Sequence, residues 1–124
     1  MKQDHECELC NPEAVLCDNV LAYASAERKS LSAGHVVIVP RRHVADFFDM
    51  TSQERAAVMD LLTEAQKLVQ HEHSPDGYNI GVNVGRAAGQ SRMHVHIHLI
   101  PRYLGDVADP RGGVRCVLDG ENDA

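Results

Sequence analysis

The stretch Met93-His94-Val95-His96-Ile97-His98-Leu99-Ile100 constrains this chain more than any other. Successive side chains of a strand point to opposite faces. An unbroken alternation of histidine with aliphatic residues therefore predicts a strand with His94, His96 and His98 on one face, roughly 6.5–7 Å apart along it. Val95, Ile97 and Leu99 lie on the other face and can pack on a helix. Three imidazoles in a row can bind a metal, surround a phosphate with N–H donors, or attack as a nucleophile while neighbours hold the charge. A polar sheet face that merely happens to use histidine has no need of so strict an alternation.

The rest of the chain supplies a frame for such a strand. Ala14–Cys17 and Val20–Ser25 flank an Asp18-Asn19 turn and predict a hairpin. His35–Pro40 is a β-branched run with little alternation, as in a central strand. Thr51-Ser52-Gln53-Glu54 has the capping-box form. Behind it, Ala57, Val58, Leu61, Leu62, Ala65, Leu68 and Val69 recur at helical spacing. They predict an amphipathic helix over 51–73, stopped by Ser74-Pro75-Asp76-Gly77. Tyr78–Val84 and Ser91–Pro101 predict two further strands, giving an α+β fold.

At 124 residues, residues 1–124 form a single domain, with a polar lead-in over 1–13 and a Gly/Pro/Asp-rich arm over 103–124. A net charge of −6 argues against a nucleic-acid partner, because phosphate neutralisation needs a basic surface. No apolar run reaches a membrane span, and the acidic N-terminus lacks a signal-peptide pattern. The expected location is cytoplasmic, where Cys7, Cys10, Cys17 and Cys116 are thiols or metal ligands rather than disulfides.

Gly85–Gly89, Gln90 and Ser91 precede the histidines, and a glycine turn can bring backbone N–H groups close to an anion. The run Gly89-Gln90-Ser91-x-x-His94-Val95-His96-Ile97-His98-Leu99-Ile100-Pro101-Arg102 resembles the signature of the histidine triad (HIT) superfamily. Gly34–Val44 and Asn79–Gly85 resemble its other strands. The resemblance implies a five-stranded antiparallel sheet with two helices, in a two-fold homodimer. It implies a small-molecule nucleotide substrate attacked at its α-phosphate, with transfer or hydrolysis of the nucleotidyl group. His96 is then the nucleophile, His98 and the Gln90-Ser91 turn bind phosphate oxygens, His35 buttresses the site, and Asn83 contacts phosphate. The tail Pro101–Asp106 is closer to the fragile-histidine-triad, dinucleoside polyphosphate hydrolase branch. An adenosine phosphoramidase of the Hint type, or a non-catalytic nucleotide-binding module, stays open. Glu27 stands where the ribose ligand is expected. Asp109–Arg115 fits neither branch and reads equally as a distal phosphate contact or an arm.

Cys7-x-x-Cys10 has metal-ligand spacing. Some bacterial family members resemble an arrangement in which His43 and His94 complete the set. That implies a structural zinc ion clipping the lead-in to the sheet.

Overall fold

The computed structural model describes residues 6–113. Five antiparallel strands form one sheet: β1 (Cys17–Asp18), β2 (Ala22–Ala26), β3 (Val36–Pro40), β4 (Gly77–Gly81) and β5 (Ile97–Arg102), in the order β1-β2-β3-β5-β4. β3 is central, as its β-branched sequence predicts. The hairpin β1–β2 turns at Asn19, whose side chain accepts from the Leu21 and Ala22 amides.

Helix α1 (Ser52–His73) covers one face of the sheet. Thr51 caps it reciprocally with Glu54, and Ser74 closes it in the left-handed conformation just before Pro75. Val58, Leu61, Ala65 and Val69 are buried against Ala22, Ala24, Val36, Ile38, Val95, Ile97 and Leu99. Each buried Val, Leu or Ile among these contributes about 1.5–3 kcal/mol by leaving water. Leu68, predicted on the same stripe, is instead exposed. The alternate residues point to the opposite face, where Tyr23, Val37 and Val39 pack with Leu9 in a smaller cluster. Val37 pairs with His98 in the register, so the histidine face and this second cluster are one surface.

Two expectations are corrected. Among the described residues there is one α-helix; the second helical feature is a pair of short 3-10 turns, Phe47–Asp49 and Arg86–Ala88. The histidine strand also begins later than its alternation predicts. β5 starts at Ile97, so of the three histidines only His98 lies in it. The reason is a different set of partners upstream. The Val95 amide donates to the Val44 carbonyl, and the Gln90 side chain donates to the Ala45 carbonyl. Residues 90–96 thus run against the 43–45 segment rather than extending the ladder. No helix among the described residues is long and apolar enough to cross a membrane.

Candidate functional site

His35 and His98 sit side by side because β3 and β5 are neighbours, and both are buried. The Leu31 amide donates to His35 Nδ1 at 3.0 Å. That fixes the His35 proton on Nε2, which donates to His98 Nδ1 at 2.9 Å. The remaining His98 proton is therefore on Nε2. This atom is buried and has no hydrogen-bond partner among the described residues. A buried donor left unpaired costs about 1–3 kcal/mol, so it marks a place for an acceptor.

His96 is fixed by a separate device. Its Nδ1 lies 2.9 Å from the His94 carbonyl, which can only accept. The proton is on Nδ1, and Nε2 carries a lone pair. The His96 and His98 rings are 5.0 Å apart, in an edge-on arrangement. Burial lowers the proton affinity of all three imidazoles. His35 is held at about 4 and His98 at about 3, while His96 is lowered against the His94 carbonyl bond, which raises it. A neutral imidazole with a free lone pair can act as a nucleophile without first losing a proton.

Glu27 lines the same site. Its Oε2 accepts from Arg92 Nη2 at 2.7 Å and stands 3.9 Å from His98 Nδ1. Burial pushes its carboxyl up, but the Arg92 hydrogen bond and charge outweigh this and hold it below the ordinary carboxylate range. Glu27, His96 and His98 also form a donor set of metal-binding dimensions, and the Arg92 guanidinium already stands among them. Beside the histidines, a cavity of about 370 Å³ is lined by Leu9, Tyr23, Glu27, Arg28, Val37 and Arg92, among others. Apolar side chains (Leu9, Tyr23, Val37) and charged ones (Glu27, Arg28, Arg92) share its walls, the mixture common in small-molecule sites.

The glycine loop departs from its expected role. The Ala88, Gly89 and Gln90 amides donate to the Gly85 and Arg86 carbonyls, so they close the loop on itself. The Gln90 side chain is buried. It donates to Ala45 O and Arg92 O and accepts from the Gly85 amide. Gln90 is a loop staple, and neither its amide nor that of Gly89 is presented to an anion. Gly89 itself is required by its left-handed φ of 96°. Ser91 is exposed. Asn83 is half-buried, its amide nitrogen 3.7 Å from where a Cβ on Gly89 would stand. Arg111, from the Asp109–Arg115 segment, pairs with Asp109 at an exposed position. Val114, Arg115 and Cys116 lie outside the described residues.

His94, the first of the three histidines, turns away to a second cluster. Its Nε2 donates to the Pro40 carbonyl at 2.7 Å, which leaves the Nδ1 lone pair facing Cys7 Sγ and Cys10 Sγ, each at 3.5 Å. Cys10 Sγ lies 3.2 Å from His43 Nδ1. One donor atom from each of the four residues falls within 4.8 Å of the others. A tetrahedral zinc with ordinary bond lengths has S···N edges of about 3.5 Å. The four therefore fit such an ion in donor type and spacing, and the Pro40 carbonyl is the outer partner that fixes a metal-binding imidazole. Arg42, next to His43 in the chain, makes a two-pronged pair with Glu54 at the start of α1. Both His94 nitrogens are engaged here, so its part in the histidine site is played by its backbone carbonyl. Cys17 is half-buried against the main core.

Arg92 and Glu8 are absent from the residues that the sequence singles out. Nothing local marks Arg92. Its partners Glu8 and Glu27 are 84 and 65 residues away in the chain.

The profile of the HIT domain family matches residues 8–105. Over 93 residues the chain is 34% identical to an AP-4-A phosphorylase of Mycobacterium tuberculosis, covering 74% of this chain and 48% of that protein. Over 99 residues it is 35% identical to a bifunctional bis(5'-adenosyl)-triphosphatase/adenylylsulfatase FHIT of Arabidopsis thaliana, covering 77% of this chain and 53% of that protein. The chain thus spans about half the length of these curated relatives. A solved zinc-bound histidine triad family protein of Mycobacterium smegmatis has the same fold. Its TM-score is 0.76 at 23% identity, over 85% of this chain and 81% of that one.

Proposed function

Because the chain belongs to the HIT domain family, we propose that it is a nucleotidyl hydrolase or transferase working through a covalent nucleotidyl-His96 intermediate. The observation that carries this reading is the pairing of two groups on adjacent rings: the His96 Nε2 lone pair, whose only neighbour among the described residues is the Arg92 guanidinium, and the His98 Nε2–H, which has no partner among them. In the first displacement His96 Nε2 attacks the α-phosphorus. A P–N bond forms, the bond from phosphorus to the leaving group breaks, and the leaving group departs with its electron pair. In the second, water attacks phosphorus, the P–N bond breaks, and a nucleoside monophosphate is released. His98 Nε2–H donates to a non-bridging oxygen, where charge builds up in both steps. The cavity beside Leu9 and Tyr23 holds the base and ribose.

Dinucleoside polyphosphates are the substrate class, in keeping with the activities named for the M. tuberculosis and A. thaliana relatives. The Cys7-Cys10-His43-His94 cluster holds a structural zinc ion, supported by its donor spacing and by the zinc-bound M. smegmatis relative. With four protein ligands it leaves no open coordination position for a reaction. A second copy of the chain pairs along the β4 side, where Ile80, Leu104 and Val107 are exposed, and light scattering should give twice 13.6 kDa.

A substrate panel tests the reading: diadenosine tri- and tetraphosphate, an adenosine phosphoramidate and AMP, each with and without chelator. Turnover that survives chelation supports it. Binding of AMP without turnover of any substrate supports a binding module instead. Loss of turnover on chelation with the fold intact points to a catalytic metal on Glu27, His96 and His98.

A further inference from the structure

The lone pair on His96 Nε2 is not free in the unliganded protein. Arg92 Nη2 lies 3.2 Å from it and, having no acceptor capacity, must be the donor. One lone pair cannot accept an N–H and attack phosphorus at once. The guanidinium must leave Nε2 before any reaction. Its other contacts limit how far it goes. Nη2 is also held by Glu27 at 2.7 Å, and Nη1 by Glu8 at 3.1 Å. Glu27 is almost fully buried, whereas Glu8 is 44% exposed and also pairs with Arg28. The buried anchor is therefore the tighter one, and the guanidinium pivots about Glu27 within a few ångströms of the reacting nitrogen. An anionic phosphoryl group arriving there offers the guanidinium a charged acceptor, with oxygens that match its fork, in place of a neutral imidazole.

We propose that Arg92 caps the His96 nucleophile in the free protein and passes that N–H to a non-bridging oxygen of the phosphoryl group that His96 attacks. Arg92 is thus both a substrate-operated cap and a phosphate ligand, with Glu27 as its pivot. The proposal rests on the reading of His96 as nucleophile. It assigns specificity as well: the residue responds to the phosphate and not to the nucleoside. A neutral nucleoside enters the cavity without displacing the guanidinium.

The test compares wild type, Arg92→Leu and Arg92→Lys in the full chain. Affinities for AMP and for adenosine are measured by calorimetry, and His96 adducts formed from diadenosine triphosphate are measured by mass spectrometry in single-turnover mixing. Arg92→Leu should weaken AMP roughly 10- to 100-fold, as for loss of one charged hydrogen bond, with adenosine affinity unchanged. Arg92→Lys should recover part of the AMP affinity. A merely structural Arg92 would lower both affinities together, leave their ratio fixed, and so overturn the proposal. An adduct on wild-type His96 combined with an unchanged AMP-to-adenosine ratio in Arg92→Leu would overturn the cap and leave the nucleophile standing. No adduct on wild-type His96, with AMP bound, would remove the nucleophile and the cap together.

Discussion

Two clusters share one stretch of chain and differ in what they leave open. In the Cys7-Cys10-His43-His94 cluster the imidazoles turn inward: His94 gives Nε2–H to Pro40 and turns Nδ1 to both sulfurs, and His43 turns Nδ1 to Cys10 Sγ. In the His35-His96-His98 cluster the hydrogen bonds run the other way. They fix tautomers so that a donor on His98 is left without a partner among the described residues and a lone pair on His96 has only the Arg92 guanidinium against it. The same residue type is closed in one cluster and poised in the other, and His94 joins the two: its ring belongs to the first and its carbonyl to the second. The difference teaches that the partner of the second ring nitrogen decides what a histidine does.

The comparison predicts a steep asymmetry between activity and stability. The largest effect is on activity at the poised cluster. His96→Ala should lower turnover roughly 10⁴-fold or more while leaving the melting temperature nearly unchanged. His96→Gly should regain activity on a nucleotidyl imidazolide, which replaces the first step. Retention of turnover within tenfold of wild type would erase the distinction between the clusters. Next comes the donor: His98→Ala should cost roughly 10²–10³-fold in kcat, the usual loss for one oxyanion donor, and His98→Gln should recover part of it.

The closed cluster should respond in the opposite currency. Cys7→Ser with Cys10→Ser should abolish a one-to-one zinc content and lower Tm by on the order of 10 °C. Activity should fall only as far as the His94 carbonyl loses its position. Zinc content near zero in wild type, with unchanged Tm in the double variant, would show that these cysteines hold nothing.

The last effect is on acid stability. His35 has a folded-state pKa of about 4, below its unfolded value near 6.5, because burial excludes the charged form. The unfolded chain therefore binds the proton first. The stability present above pH 6.5 is lost as pH falls from about 6.5 toward 4, by on the order of 3 kcal/mol for this group. His98, lowered in the same direction, adds to the loss. Urea unfolding between pH 7 and 5 measures it, and His35→Gln should flatten the slope. A stability that is level or rising on acidification would contradict the neutral relay from Leu31 to His98.

The sequence made some of this legible and hid the rest for identifiable reasons. The helix over 51–73 was readable because its caps and its apolar stripe are local, and β3 because six consecutive residues suit a buried strand. The metal-type cluster was readable because Cys7-x-x-Cys10 fixes half of it by spacing. The late start of β5 was not readable. Alternation continues through Val95, while its backbone partner changes from β3 to Val44. The glycine loop reads as an anion cradle, yet amides 88–90 turn inward to carbonyls three to five residues back, a choice of backbone angle that composition does not reveal. Arg92 was invisible because its meaning lies in carboxylates brought from Glu8 and Glu27 by the fold.

The central claim is that the two-residue device of His94 carbonyl and His96 ring makes one nitrogen a nucleophile. Rapid quench of the protein with diadenosine triphosphate, followed by peptide mass mapping under alkaline conditions that preserve a P–N bond, tests it most directly. The account predicts a nucleotidyl group on the peptide carrying His96, formed no slower than turnover and absent in His96→Ala. Turnover with no nucleotidyl-protein, or with the group on another residue, would contradict it.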